Sequence, residues 1–398
     1  MLNPNSLRAL LTPAGEEILQ TAAHLRPKEE AFLTHYQQLS RLYPPDLARA
    51  ALEIAILRQK AQAKFPFAER MFLTPEALEQ ASPWEVSQYR ARRYQGFERV
   101  LDLGCSIGAD TLALGGVTSV VGIDKDALRL MMARLNLAAL GLEERCGFVQ
   151  ADLLQPLPIP KRMPSLALFF DPARRQDKRR IYHVDAYQPP LGVLHNWIGD
   201  YPQLGVKISP GVKLEEIGGY DCEVEFISLA GELKEAVLWF GSLRTARRRA
   251  TILPAGVTLS AELWGSADQP LVGLSPPLDY ILEPDPAVIR AGLVQSLAQQ
   301  LDAFQLDREI AYLTTSCPIA SPFARCWQVE AWMPFHLKRL REVLRARSVG
   351  NVTVKKRGSP LEPDDLRRQL RLQGEQERVL FLTRWNGAPI VVIALPAG

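Results

Sequence analysis

An α/β fold on a mainly parallel sheet, preceded by helices and followed by an α+β region, is the class this sequence predicts. Three observations predict it. Short β-rich runs ("RVLDLG", "SVVGID", "CGFVQAD", "LALFFD", "LGVKIS") alternate with helical stretches between residue 97 and about 240, the spacing of βαβ units. Upstream, "PPDLARAALEIAILRQKAQAKF" offers Pro45 and Asp46 as a helix start, then Leu47, Ala51, Ile54 and Ala55 at helical spacing. Downstream, the helical "PFHLKRLREVLRAR" is followed by the strands "NVTVKKRG" and "RVLFLTRWNGAPIVVIAL".

The elements then divide the chain into a helical segment 1–95, an α/β domain 96–245, a linker with a β extension 246–281, and an α+β domain 282–398. "ALRLMMARLNLAAL" is the clearest helix of the second region. "CEVEFISLAGELKEAVLWF" reads as two strands around Gly231, a hairpin closing the sheet antiparallel. Prolines 270, 276, 277, 284 and 286 mark the linker. In "PFHLKRLREVLRAR", Leu337, Leu340 and Leu344 share one face, and Lys338, Arg341 and Arg345 another.

Composition narrows the classes. Of 398 residues, 47% are hydrophobic and 23% charged, as in soluble globular chains. No window approaches the roughly 18 apolar residues of a membrane span, and Glu16 and Glu17 interrupt any export signal. The five cysteines form no C-x-x-C pair, so reduced thiols and a cytoplasmic setting are expected. Cys317 and Cys326 lie close in sequence with no histidine between them, which favours core packing over a zinc site. Metal-hydrolase and P-loop patterns do not occur, and no metal is expected. The net charge of +3 hides a gradient: residues 338–371 carry eleven Lys and Arg against four acids, +7, leaving −4 elsewhere.

The segment "VLDLGCSIGADT" (100–111) carries the most information. A strand ends at Asp102, a glycine turn follows, and a helix starts near Gly108, a geometry that lets a nucleotide cofactor approach the backbone. A dinucleotide fingerprint needs glycine where Ser106 and Ala109 stand. The Asp102 carboxylate also repels a phosphate. It suits S-adenosylmethionine, which carries a sulfonium and an ammonium and no phosphate. Asp124 ends the second strand, 22 residues on, where an acid can accept both ribose hydroxyl protons. Asp152 ends the third, within reach of an adenine amino group. Any one of these acids could simply cap a helix. Three at successive strand ends beside a glycine loop favour a cofactor crevice.

This order (strand, D-x-G-x-x-x-G, acids after strands two and three, D-P after strand four) resembles the class I S-adenosylmethionine-dependent methyltransferases over about 97–240. More narrowly the chain is similar to bacterial methyltransferases with a C-terminal THUMP-like domain, through "MFLTPEALEQAS", "FFDPARR", "VKISPGV", "EPDPAVIRAGLV" and "VGNVTVKKRG". The resemblance implies a Rossmann-like seven-stranded catalytic domain, a helical N-terminal domain and an α+β THUMP-like C-terminal domain. It implies S-adenosyl-L-methionine as cofactor, with Asp102, Gly104, Cys105 and Gly108 lining the methionine part, Asp124 the ribose and Asp152 the adenine. It also implies tRNA or rRNA as partner, with no membrane and no obligate protein partner.

At the end of strand four, nitrogen methyltransferases carry D-P-P-aromatic or N-P-P-aromatic, whose oxygens accept the N–H groups of the amine and whose ring stacks on the base. Here the tetrad reads Asp171-Pro172-Ala173-Arg174. Asp171, Pro172 and Arg174 form the expected acceptor side, with Asp171 also the natural acceptor of the released proton and Arg174 a guanidinium able to stack or hold a phosphate. Arg174, Arg175, Lys178, Arg179 and Arg180 are five cations in seven residues, either a solvated loop or a phosphate grip beside the methyl site. Tyr182, His183 and Tyr187 could stack on an unpaired base. Lys338, Arg341 and Arg345, then Lys355, Lys356 and Arg357, could equally be a surface helix and turn or an RNA-tracking face. An RNA-binding protein with a vestigial cofactor fold, and a methyltransferase for a protein or small molecule, remain open alternatives.

Overall fold

The computed structural model describes residues 2–157, 159, 161–173, 175–176, 179–180, 183–262 and 271–396, with the side chains of 175–176 and 179–180 set aside. The chain divides into two compact units, Met1–Glu223 with Glu235–Thr245, and Val224–Lys234 with Ala246–Gly398.

The first unit opens with helices α1 (Pro4–Leu10), α2 (Pro13–His24), α3 (Phe32–Leu39), α4 (Pro45–Ala61), α5 (Pro75–Gln80) and α6 (Trp84–Ala91). Their starts follow from local chemistry. Proline opens α1, α2 and α5, and Asn3, Thr12 and Thr74 accept backbone N–H bonds that the first turn leaves free. Helix α4 starts at Pro45 as expected and buries Ala51, Ile54 and Ala55.

The sheet of this unit is built from β1 (Arg99–Leu103), β2 (Ser119–Asp124), β3 (Cys146–Gln150) and β4 (Leu166–Phe170). The two-residue strands β5 (Arg175–Gln176) and β6 (Arg179–Arg180) form a separate ribbon, and β7 (Leu204–Ile208) returns to the sheet. Beyond β8 (Glu223–Leu229), the chain turns at Ala230 and Gly231, both with positive φ, into β9 (Glu232–Trp239). Within the unit the order is β9-β7-β4-β1-β2-β3. Strands β7 to β3 are parallel, and β9 is antiparallel to β7, as the hairpin reading expects. Helices α7 (Ala109–Gly115) and α8 (Ala127–Ala138) are the crossovers between β1, β2 and β3, and α9 (Leu194–Trp197) precedes β7. Strand order reverses between β1 and β4, and in open α/β sheets that switch point leaves a crevice at the carboxyl ends of the strands.

The second unit holds β10 (Arg248–Leu253), parallel to β8 and antiparallel to β11 (Val257–Ala261). It also carries β12 (Tyr280–Pro284), β13 (Phe304–Asp307), β14 (Ile310–Thr315), β15 (Ala324–Pro334), β16 (Val349–Lys356), β17 (Gln376–Trp385) and β18 (Ala388–Ala394), in the order β13-β14-β12-β15-β18-β17-β16. Helices α10 (Pro286–Arg290) and α11 (Val294–Gln300) follow β12, while α12 (Leu337–Ala346) and α13 (Pro363–Leu370) flank β16. Leu340 and Leu344 of α12 and Leu366 and Leu370 of α13 pack with Val352, Leu380 and Val391. The leucine face predicted from sequence is therefore the buried one.

Two expectations are corrected. Pro284 closes β12 and Pro286 opens α10, so neither sits in a linker; proline suits both a strand end and a first helical turn. Cys317 is exposed and Cys326 half-buried, whereas Cys105, Cys146 and Cys222 are in the core. Core packing accounts for those three and not for Cys317.

Candidate active site

At the β1–β4 switch point lies a cavity of about 1020 Å³. Asp102 is the penultimate residue of β1 and is 1% exposed. The loop after it closes by main-chain bonds: Gly104 N and Cys105 N both donate to Ile123 O, at 2.8 and 3.1 Å. Gly104 has φ +82°, and a Cβ there would stand 2.9 Å from Asp171 O. Only glycine lets the loop lie this close to the end of β4. Asp102, Gly104, Cys105, Asp124, Asp152 and Asp171 all line the cavity. The sequence-predicted acids and loop are thereby brought together.

Their electrostatics differ. Thr111 Oγ1 donates to Asp102 Oδ2 at 2.5 Å, while Oδ1 is buried with no partner among the described residues. Burial, with the Asp110 and Asp171 carboxylates adding, pushes this carboxyl from 3.8 up to about 8, against the pull of the Thr111 hydroxyl and Arg90. Asp124 is pinned from both sides, accepting from Ser106 N and Asp126 N, each at 2.9 Å. Asp152 is exposed and accepts from Leu154 N at 3.0 Å.

Comparison with known proteins decides the family. A methyltransferase of Mycobacterium tuberculosis, carried under that description by strains CDC 1551 and H37Rv alike as an uncharacterized S-adenosylmethionine-dependent enzyme, is 38% identical over 351 residues, covering 85% of this chain and 93% of its own. This chain belongs to the S-adenosylmethionine-dependent methyltransferases. A crystal structure from Porphyromonas gingivalis W83, assigned as a methyltransferase, superposes with a TM-score of 0.74 at 20% identity, covering 94% of this chain and all of the other. That likeness shows the shared fold. Residues 324–396 match the "THUMP domain-like" family model, and residues 3–61 match a domain of unknown function.

S-Adenosylmethionine is the cofactor of this family, and the residues of the methyltransferase's crevice fit it. The orphaned Asp102 Oδ1 seeks a donor or a cation, Gly104 leaves its cradle free of side chain, and among the described residues eight of the ten charged ones in the lining are carboxylates. Two expected cofactor or acceptor residues stand apart from the cavity. Gly108 caps α7 at φ +79° and makes room for Ala133, 3.1 Å from a Cβ placed there. Pro172 is buried.

Sequence reasoning missed the charged groups beneath the crevice. Lys207 of β7, 1% exposed, donates to Asp171 Oδ2 at 2.7 Å. Arg90 of α6 is buried between Asp110 of α7 and Glu235 of β9, lies 4.5 Å over the Phe169 ring, and pairs with both carboxylates. Burial alone lowers a guanidinium's pKa, but Asp110 and Glu235 outweigh it and hold Arg90 above its ordinary value. Ser87 and Ser82 complete the network with bonds of 2.6 Å to Asp110 and 2.7 Å to Glu235. A lysine alone in the apolar run "LGVKIS" was a readable signal; for Arg90 nothing local stands out. The segment "MFLTPEALEQAS" reaches the cavity too, through Gln80 and Ala81. Asn136 of α8 holds it, exchanging bonds of 2.7 and 3.1 Å with Phe72 while donating to Ile107 O at 2.9 Å.

The expected RNA-facing residues separate into groups. Arg174 and Lys178 lie outside the described residues, as does Tyr182; Arg175, Arg179 and Arg180 are described in backbone only. Tyr187 is buried and its hydroxyl accepts from Ser209 N at 3.1 Å, so it cannot stack on a base. Lys338 and Arg345 are exposed on α12, and Arg341 donates to Gln369 O at 2.6 Å. Lys355 pairs with Glu283 at 2.6 Å, Lys356 with Glu362 at 2.6 Å, and Arg357 lies 3.8 Å from Glu283. Carboxylates of the same chain already hold that run.

Proposed function

We propose that this methyltransferase acts on a base nitrogen of tRNA or rRNA in the cytoplasm. The observation that carries the reading is Asp171: its carboxylate lines the crevice, beside the Gly104 loop, at the end of the strand next to β1. S-Adenosylmethionine, when bound, supplies an electrophilic methyl group. Asp102 and the Gly104–Cys105 loop would hold its methionine part, Asp124 its ribose and Asp152 its adenine. Asp171 accepts an N–H of the acceptor amine and so turns the nitrogen lone pair toward the cofactor, catalysis mainly by positioning. RNA as acceptor is supported by the THUMP-like match over 324–396 and by the exposed cations Lys338 and Arg345 inside it. Among the described residues no helix is long and apolar enough to cross a membrane.

The test is transfer of labelled methyl groups from S-adenosylmethionine to total RNA of cells lacking this enzyme, followed by mass spectrometry of the nucleosides. Ribonuclease-sensitive label on a methylated base is the expected result. Label that survives ribonuclease assigns the acceptor to protein or a small molecule, and RNA binding without transfer assigns the chain a binding role.

A further inference from the structure

Every residue of β7 is buried, Lys207 included. A lysine in such a strand persists only when its charge is paired. Its ammonium meets Asp171 Oδ2 at 2.7 Å and Gln80 O at 3.3 Å. Gln80 is the last residue of α5, and two lysines take four successive carbonyls at that helix end: Lys64 donates to Leu78 O, Glu79 O and Ala81 O, and Lys207 to Gln80 O. A helix C-terminus is electronegative, so the ammonium sits between a carboxylate and a helix end. The parallel register Phe170↔Val206 brings Asp171 and Lys207 to adjacent strand ends. Asp102 on β1, Asp110 on α7 and Arg90 on α6 are the other charges in electrostatic reach of the pair. Asp171 is 20% exposed, and its Oδ1 has no partner among the described residues.

We infer that Lys207 is the positioning residue of the acceptor site: it clamps one oxygen of Asp171 and leaves a single oxygen, aimed by two paired strands, for the incoming N–H. The inference rests on the methyl-acceptor role of Asp171 proposed above and assigns that role a specific form. Asp171 then works as a fixed hydrogen-bond acceptor, and the proton that the methylated nitrogen gives up passes to water, which reaches this partly exposed carboxylate. One fixed oxygen selects an acceptor that offers an N–H in one direction, as an exocyclic amine or amide does. It also makes α5, outside the parallel sheet, part of the acceptor site.

Two measurements on the full chain test this. In thermal unfolding without donor or acceptor, Lys207→Met and Asp171→Asn each lower Tm, and the double variant loses less than the sum of the two. Additive losses overturn the pair. In transfer assays with total RNA, Lys207→Met lowers kcat about tenfold or more while affinity for the demethylated donor stays within about twofold, and Lys207→Arg recovers most of the rate. An unchanged kcat in Lys207→Met, or an equal fall in donor affinity, overturns the positioning role. RNA that takes up no label from the wild type overturns the RNA reading instead, and the unfolding cycle still decides the pair.

Discussion

Asp102 is a carboxyl buried in the wall of the crevice, and its behaviour with pH follows from that burial. Its carboxyl is raised from 3.8 to about 8, so the fold favours the protonated form. The stability this contributes is full below about pH 4 and is lost as pH rises through about 8. Melting of the ligand-free protein should therefore decline across that window beyond what the other groups impose, and Asp102→Asn should flatten the decline. The same variant should bind the demethylated donor more weakly in calorimetry, because a bound ammonium favours the ionised form of Asp102 and an amide has no such form. A melting profile untouched by the substitution contradicts this account. Asp171→Ala acts on a different quantity: with the acceptor nitrogen no longer aimed, kcat should fall by about a hundredfold with donor affinity little changed, read from single-turnover transfer and calorimetry.

Between elements, the buried charges beneath the crevice decide how α6, α7 and β9 meet. Arg90 bridges Asp110 and Glu235, which Ser87 and Ser82 also hold. Replacing Arg90 by Met leaves two carboxylates buried without their cation, and breaking such a pair costs about 3–5 kcal/mol. Denaturant unfolding should show that loss, and a triple variant Arg90→Met, Asp110→Asn, Glu235→Gln should recover part of it. Asn136 ties α8 to Phe72 and Ile107 by three bonds; Asn136→Ala leaves backbone groups unpaired at about 1–3 kcal/mol. That cost should appear as faster hydrogen exchange at Phe72.

For the molecule as a whole, charge distribution bears on RNA. The run Lys355–Arg357 was read in sequence alongside the α12 stripe as a possible RNA-tracking face, yet its cations already meet Glu283 and Glu362. Lys338 and Arg345 are the exposed ones. Lys338→Glu with Arg345→Glu should weaken RNA binding and reduce the salt dependence of log K by about one per residue, measured by filter binding over a salt series. Lys355→Met should leave that slope unchanged and instead cost about 1 kcal/mol of stability, since Glu283 loses a partner. A slope that moves with Lys355 and not with Lys338 and Arg345 reverses the assignment.

What the sequence determined by itself is the periodic and the local. Strand runs ending in Asp102, Asp124 and Asp171, helix starts at prolines, and the glycine turn at Gly104 depend on residues near in the chain, and each matches an element or a lining residue of the crevice. Tertiary structure alone decided the partners of charge. Lys207 meets Asp171 across 36 residues and Arg90 meets Glu235 across 145, and Lys355 is held by Glu283 across 72. A cation's pairing depends on which strands lie side by side, and no local pattern records that. The same limit explains Gly108 and Tyr187: a glycine in a motif or a tyrosine near a site reads alike whether it faces a ligand or a packed helix, and only the fold distinguishes them.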